Sequence, residues 1–132
     1  MKGIKILLVV SGVIALGIGL VLLLAPQAFL GTTGMVVDEK MAIVGQAQGS
    51  ILFGLGVINL LAVRVSDVVG LQAVCAGNLA THLAGLGVNL RALAANAVSS
   101  SVKGDAVGHV IFGVAFVACL VVLARRKSSV AA

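Results

Sequence analysis

Four apolar runs, at residues 6–24, 41–63, 68–90 and 106–123, dictate what this chain can become, because none of them contains an Asp, Glu, Lys or Arg. A helix needs about 20 apolar residues to cross the hydrocarbon core of a bilayer, about 30 Å thick. In that medium no water meets a stray backbone N–H or C=O. A spanning segment must therefore satisfy its own backbone as a helix or join a closed barrel. The runs are continuous rather than alternating in polarity, which predicts helices. The expected fold is all-α: an integral membrane four-helix bundle, antiparallel between neighbours, filling a single transmembrane domain over residues 1–132. Composition agrees, with 61% of residues hydrophobic and 10% charged, against roughly 45–50% and about 25% in a soluble domain.

Polar residues punctuate the runs. Lys2 and Lys5 precede the first, and Pro26, the only proline, closes it, since proline lacks an amide hydrogen and clashes with the preceding turn. A basic start before an apolar stretch is also the outline of a secretory signal, but the apolar core of a signal is about 7–15 residues long. Residues 6–24 exceed that, so the segment is expected to be retained; cleavage after Ala28 would leave three spans. Residues 28–30 predict a short interfacial piece and residues 31–40 a polar loop. Residues 64–67 are too few for anything but a tight turn, which makes the second and third helices antiparallel neighbours. Asp67 is placed to accept hydrogen bonds from the free amides of the third helix. Residues 92–105 predict a loop rich in serine, with a short surface helix near 92–98.

Orientation follows from the cations. With the N-terminus inside, Lys2, Lys5, Arg64, Arg125, Arg126 and Lys127 are cytoplasmic, against Lys40, Arg91 and Lys103 outside. This excess predicts that both termini are cytoplasmic, N-in/C-in. A formal charge of +5 in a soluble chain would suggest nucleic acid. Here the cations mark helix ends, and no nucleic-acid partner is expected.

Lipid gives helices no hydrophobic reason to associate, so small residues that let backbones approach carry much of the packing. The first run offers Ser11, Ala15 and Gly19 at four-residue spacing, and the second offers Gly45, Gly49 and Gly56 near one face. These predict close packing, either within one chain or across a homo-oligomer face.

The third run is the most polar. Cys75, Asn78, His82, Gly85 and Asn89 follow one another at steps of three and four and so form one stripe on a helix. Amides and imidazoles at this depth turn toward protein or a wet cavity. In the second run Gln48 and Asn59 share a face, with Gln46 on nearly the opposite side, and the Gln48–Asn59 face is expected to meet the Asn78–His82 stripe. Gln48, Asn59, Asn78 and His82 are thus the candidate ligand-binding residues. Two uses fit them: hydrogen bonds that fix helix register, or a small polar pocket for a lipid-like or amphipathic molecule, with His82 able to carry protons.

His82 and His109, on different helices, are raw material for axial haem ligation. Counting from the helix ends puts their depths about 6–8 Å apart at 1.5 Å per residue, and no attachment motif accompanies them, so no cofactor is expected. Cys75 and Cys119 lie inside apolar runs and read as packing residues. No metal-ligand spacing, nucleotide loop or nucleophile elbow is present, and Asp38, Glu39, Asp67 and Asp105 all lie outside the apolar interiors. Carboxylate proton relays of ion-coupled transporters and an enzymatic role are both disfavoured.

Leu24-Ala25-Pro26-Gln27-Ala28-Phe29 closing the first helix, with Val44-Gly45-Gln46-Ala47-Gln48-Gly49 opening the second, resembles small four-helix bacterial membrane proteins of the DUF4345 and DoxX-like type. The resemblance covers residues 1–64. It implies a four-helix bundle in a bacterial inner membrane and carries over no functional residue. The expected role is an accessory or structural subunit acting by helix packing in a homo-oligomer or larger membrane complex. The alternative is a carrier, pore or binding protein for a small apolar or amphipathic molecule.

Overall fold

The computed structural model describes residues 1–99 and 102–130, the side chains of 127–130 excepted. The described residues are helical apart from short connections: α1 (Lys2–Leu24), α2 (Pro26–Gly31), α3 (Glu39–Ala62), α4 (Val68–Ala94) and α5 (Val102–Val130). α1, α3, α4 and α5 are each long and apolar enough to cross a membrane.

The helix ends follow from local chemistry. Pro26 does more than stop α1, because it takes the first position of α2, where a missing N–H costs nothing. The break at Ala25 leaves α1 carbonyls without partners, and Gln46 donates its Nε2 to one of them, Leu23 O, at 3.1 Å. Asp38 caps α3 by accepting from the Met41 amide at 2.8 Å. Asp67 caps α4 in the expected way, accepting from the Gly70 amide at 2.6 Å.

The expected 92–105 loop is much shorter. α4 runs on through Ala94 and α5 already begins at Val102, because Leu93 and the flanking alanines favour helix and Gly104 does not interrupt it. Asn96 ends α4 by adopting φ 50°, from which its amide reaches Leu93 O at 3.1 Å and the Ala97 amide reaches Ala92 O at 3.0 Å. That pair of bonds is the Schellman arrangement, with Asn in the place usually held by Gly. Ser100 and Ser101 of the expected serine-rich loop lie outside the described residues.

α1 packs chiefly on α3, and α4 chiefly on α5. The first pair is joined through glycine. A Cβ on Gly19 would stand 2.5 Å from the Phe53 amide nitrogen, one on Gly49 2.8 Å from Gly19 O, and one on Gly56 2.7 Å from the Leu16 amide nitrogen. Ser11, Ala15 and Gly19 of α1 and Gly45, Gly49 and Gly56 of α3 are all buried, so the small-residue faces are used within this chain. Gly45 makes room for α2 rather than α1, since a Cβ there would meet Leu30 Cδ1 at 2.8 Å.

A buried apolar cluster of Ile4, Leu8, Ala62, Leu71, Cys75, Phe116 and Leu123 joins the two pairs. Most of it comes from the start of α1, the end of α3, the start of α4 and the far part of α5. The core therefore gathers toward the end of the molecule that carries the 63–67 turn. At the opposite end the loops meet where the Ser99 amide donates to Thr33 O at 2.8 Å.

Candidate functional site

The stripe on α4 divides into two polar groups with different neighbours. The first lies deep between three helices. Asn59 of α3 and Asn78 of α4 exchange hydrogen bonds, Asn59 Nδ2 donating to Asn78 Oδ1 at 2.8 Å and Asn78 Nδ2 donating to Asn59 Oδ1 at 2.7 Å. Asn59 Nδ2 also donates to Ser11 Oγ of α1 at 3.2 Å, and Ser11 Oγ to Asn78 Oδ1 at 3.4 Å. Asn78 gives its remaining hydrogen to Val74 O, one turn earlier, at 2.9 Å. All three residues are at most 5% exposed.

Every amide hydrogen of the pair is thus spent inside the protein, and both amide oxygens are acceptors. Asn78 Oδ1 accepts twice and Asn59 Oδ1 once, so each donor hydrogen of the group has an acceptor within the protein. Its chemistry is that of a clasp: each interhelical bond in lipid contributes about 0.6 kcal/mol and at most about 1.7, but losing one partner strands a polar group where water cannot replace it.

The second group lies along the α4–α5 seam. Opposed positions on these helices sum to a constant number: Asn89 meets Asp105, Gly85 meets His109 and His82 stacks on Phe112. His82 Nδ1 and His109 Nδ1 are 3.0 Å apart. The two histidines are thus brought together despite the depth difference given by counting from sequence run ends. The physical reason is the register of the two helices: His82 stands opposite Phe112 and His109 opposite Gly85, so the histidines differ by three residues, about 4.5 Å at 1.5 Å per residue, and their side chains span that turn.

Around this contact the packing is aromatic and tight. The His82 ring is stacked on Phe112 at a centroid distance of 5.2 Å and on Phe116 at 5.8 Å. Gly85 admits the His109 ring, since a Cβ there would meet Cε1 and Nε2 at 2.5 Å. On the far side His109 Nε2 faces Asp105 Oδ2 at 3.8 Å, and the same carboxylate oxygen accepts from Asn89 Nδ2 at 2.6 Å. Asp105 is 63% exposed and His109 20%. Polar groups therefore follow one another from a solvated carboxylate to a half-buried imidazole, the step from Asp105 to His109 being an ionic contact at 3.8 Å and the step from His109 to His82 a nitrogen–nitrogen contact at 3.0 Å.

Of the sequence candidates, Asn59 and Asn78 meet as expected, with Ser11 as a third member that sequence reading used only as a small packing residue. His82 belongs to the other group. Gln48 joins neither: it is exposed and makes no hydrogen bond to any described residue. Gln46, by contrast, faces α1. Asn89 and Asp105 were legible only as separate residues, since their partnership depends on the α4–α5 register.

The 3.0 Å contact is between the two Nδ1 atoms, too close for an iron ion to lie between those two nitrogens, since it would need about 2 Å on each side. Among the described residues no group of three or more His, Cys, Asp or Glu is arranged to hold a metal ion. An apolar groove of about 260 Å³ runs outside the α4–α5 seam, lined by Leu79, Leu83, Val110, Val114 and Val117, with His109 among its walls.

No protein-family model matches this chain, and neither the curated proteins nor the solved structures contain a match to it.

Proposed function

We propose that this protein is a small multi-pass subunit of a bacterial inner membrane, a four-helix bundle with both termini cytoplasmic, that acts by associating with further copies of itself. The observation that carries this reading is Gln48. It is exposed, and it lies nine residues into α3, about 14 Å from the helix start at 1.5 Å per residue. That depth is close to the middle of a hydrocarbon core of about 30 Å.

A primary amide with two donors and an acceptor facing lipid has no partner there, and stranding such a group costs about 1–3 kcal/mol or more. Val44 and Ile51, on the same face, are largely exposed apolar residues. An amide is self-complementary, as Asn59 and Asn78 demonstrate within the chain. Across a two-fold axis parallel to the membrane normal, Gln48 of two copies would satisfy each other in the same way, and isologous pairing of one patch with itself is the commonest form of assembly. The full internal satisfaction of Ser11, Asn59 and Asn78 supports a role in which the interior serves architecture and the outer faces serve association.

The test is native mass spectrometry in mild detergent, coupled to oxidation of a Gln48→Cys variant. Dimers that form the disulfide and are lost in Gln48→Leu support the reading. A monomer whose state is unchanged by Gln48→Leu defeats it. Reporter fusions at each end check the orientation, and an external C-terminus contradicts it.

The groove beside α4 and α5 favours a second reading, binding of an amphipathic molecule whose chain lies on Leu79, Leu83, Val114 and Val117 with its polar end near His109. A lipid that co-purifies in stoichiometric amount and is released by Val114→Trp would support it.

A further inference from the structure

We propose that His82 and His109 form a proton-binding site inside the membrane span, holding one proton between two ring nitrogens and exchanging it with water through Asp105.

Two imidazole nitrogens 3.0 Å apart can be in contact only if one carries hydrogen and the other a lone pair. In the uncharged pair the rings must therefore be opposite tautomers at Nδ1. Asp105 on the other nitrogen of His109 selects between them. A carboxylate favours hydrogen on His109 Nε2, which leaves His109 Nδ1 as the acceptor and makes His82 the Nδ1–H donor. The pair is polar, aligned and already hydrogen-bonded before any proton arrives.

Uptake of a proton balances simply. A hydronium ion at the aqueous surface transfers a proton to the Asp105 carboxylate and leaves water. Asp105 can relay it only onto a bare Nε2, so uptake by this route starts from chains already in the converse arrangement, His109 with hydrogen on Nδ1 and His82 with hydrogen on Nε2; the two neutral arrangements interconvert through the protonated pair, which can lose the proton of either Nε2. The carboxylic acid then gives its proton to His109 Nε2. The product is a carboxylate, an imidazolium at His109 whose Nδ1–H points at His82 Nδ1, and a neutral His82 that accepts it. The net positive charge is shared along an N–H···N bond, stacked against Phe112 and Phe116, whose faces attract cations, and neutralised by Asp105.

A second proton cannot be held in the same geometry. Both Nδ1 atoms would carry hydrogen and point at each other at 3.0 Å. The site has a capacity of one.

The surroundings isolate it. His109 touches His82, and Asp105 faces His109 from the preceding turn of α5. α1 carries no charged residue after Lys5 and α3 none after Lys40, with Glu39 and Lys40 at the start of that helix. On α4 the polar neighbours are Asn89, which holds Asp105, and Arg91 in the last turn; Lys103 lies in the first turn of α5.

The experiment is nitrogen NMR of ¹⁵N-histidine-labelled protein in phosphatidylcholine nanodiscs, followed from alkaline to acid pH. The two rings are expected to show opposite tautomers when neutral and to shift together in a single one-proton step. His109→Gln should uncouple His82, which then titrates alone. His82→Gln should do the same for His109, so that failure of one variant to fold leaves the other as the test. Asp105→Asn should reduce the fraction of chains carrying the shared proton at mildly acid pH several-fold while leaving the fold intact. Identical tautomers, two independent steps, uptake of two protons without loss of the contact, or stoichiometric zinc or copper held by both rings would each overturn the proposal.

Discussion

Gly85 and His109 share one volume: the imidazole of His109 lies where a side chain on Gly85 would begin, within 2.5 Å of an added Cβ. Glycine in a helix interior is about 1 kcal/mol worse than alanine, and here the vacancy lets the His109 ring cross the seam to His82. Gly85→Ala is expected to push His109 aside and to cost about 1–3 kcal/mol through overpacking. Thermal unfolding in detergent measures the cost, and loss of the opposite-tautomer signature of the two rings reports the lost contact. Gly87→Ala, two residues away with nothing within 4 Å of its Cβ, is the control and should be neutral or slightly stabilising.

The Asn59–Asn78 clasp makes a prediction about pairs. Asn59→Leu alone strands the Asn78 amide in a dry interior, and Asn78→Leu does the converse. Each should destabilise by about 1–3 kcal/mol, whereas the double leucine variant removes both polar groups and should recover much of that loss. A double-mutant cycle of unfolding free energies, with Ser11 retained, checks it. Additive losses would show that the two amides do not depend on each other.

The α1–α3 seam should be intolerant at chosen glycines only. A Cβ on Gly19, Gly49 or Gly56 meets backbone atoms of the opposing helix within 2.8 Å, while Gly17 and Gly54 have nothing within 4 Å. Backbone cannot rotate away as a side chain can, so Gly49→Val should force the helices apart and cost about 3 kcal/mol or more, beyond the usual overpacking range. Gly17→Ala and Gly54→Ala should be neutral or stabilising by about 0.5–1 kcal/mol. Unfolding of the three variants in one detergent gives the comparison.

Asn96 is strained by its own role. At φ 50° a residue with an ordinary side chain loses about 1–2 kcal/mol, a cost that asparagine lessens and glycine avoids. Asn96→Gly should hold or raise stability, and Asn96→Val should lower it by at least about 1 kcal/mol. Hydrogen exchange at Asn96 and Ala97, whose amides close the end of α4, should accelerate in the valine variant.

Much of the helix layout could be read directly because lipid permits so few backbone solutions. Long uncharged runs, Pro26, and an Asp at the start of α4 each act through the nearest few residues. Helix limits were less legible where local signals were mild. Residues 92–94 and 102–105 looked like loop by their falling hydropathy, but alanine, leucine and valine keep a helix going without a strong apolar face, and the stop came from Asn96 rather than from a glycine or proline.

The polar stripe shows the same division at the level of side chains. Spacing alone sets Cys75, Asn78, His82, Gly85 and Asn89 on one side of α4, and lipid requires such residues to find partners. Helix periodicity fixes direction around an axis and says nothing of what stands opposite. That is why Gln48 and Asn59, on one face by count, end in different surroundings: Asn59 meets α4 and α1, while Gln48 remains exposed.

What the sequence by itself determined is therefore the set of membrane-length helices, the caps at their ends and the need of each buried amide for a partner, all consequences of short-range sterics and of a solvent without hydrogen bonds. Tertiary structure alone decided which partner each found. The register of α4 against α5 joined His82 to His109 and Asn89 to Asp105, and the close glycine contact of α1 with α3 brought Ser11 to the Asn59–Asn78 pair. Registers of this kind are set by the summed fit of many side chains across two helices, a quantity that no single run of residues contains.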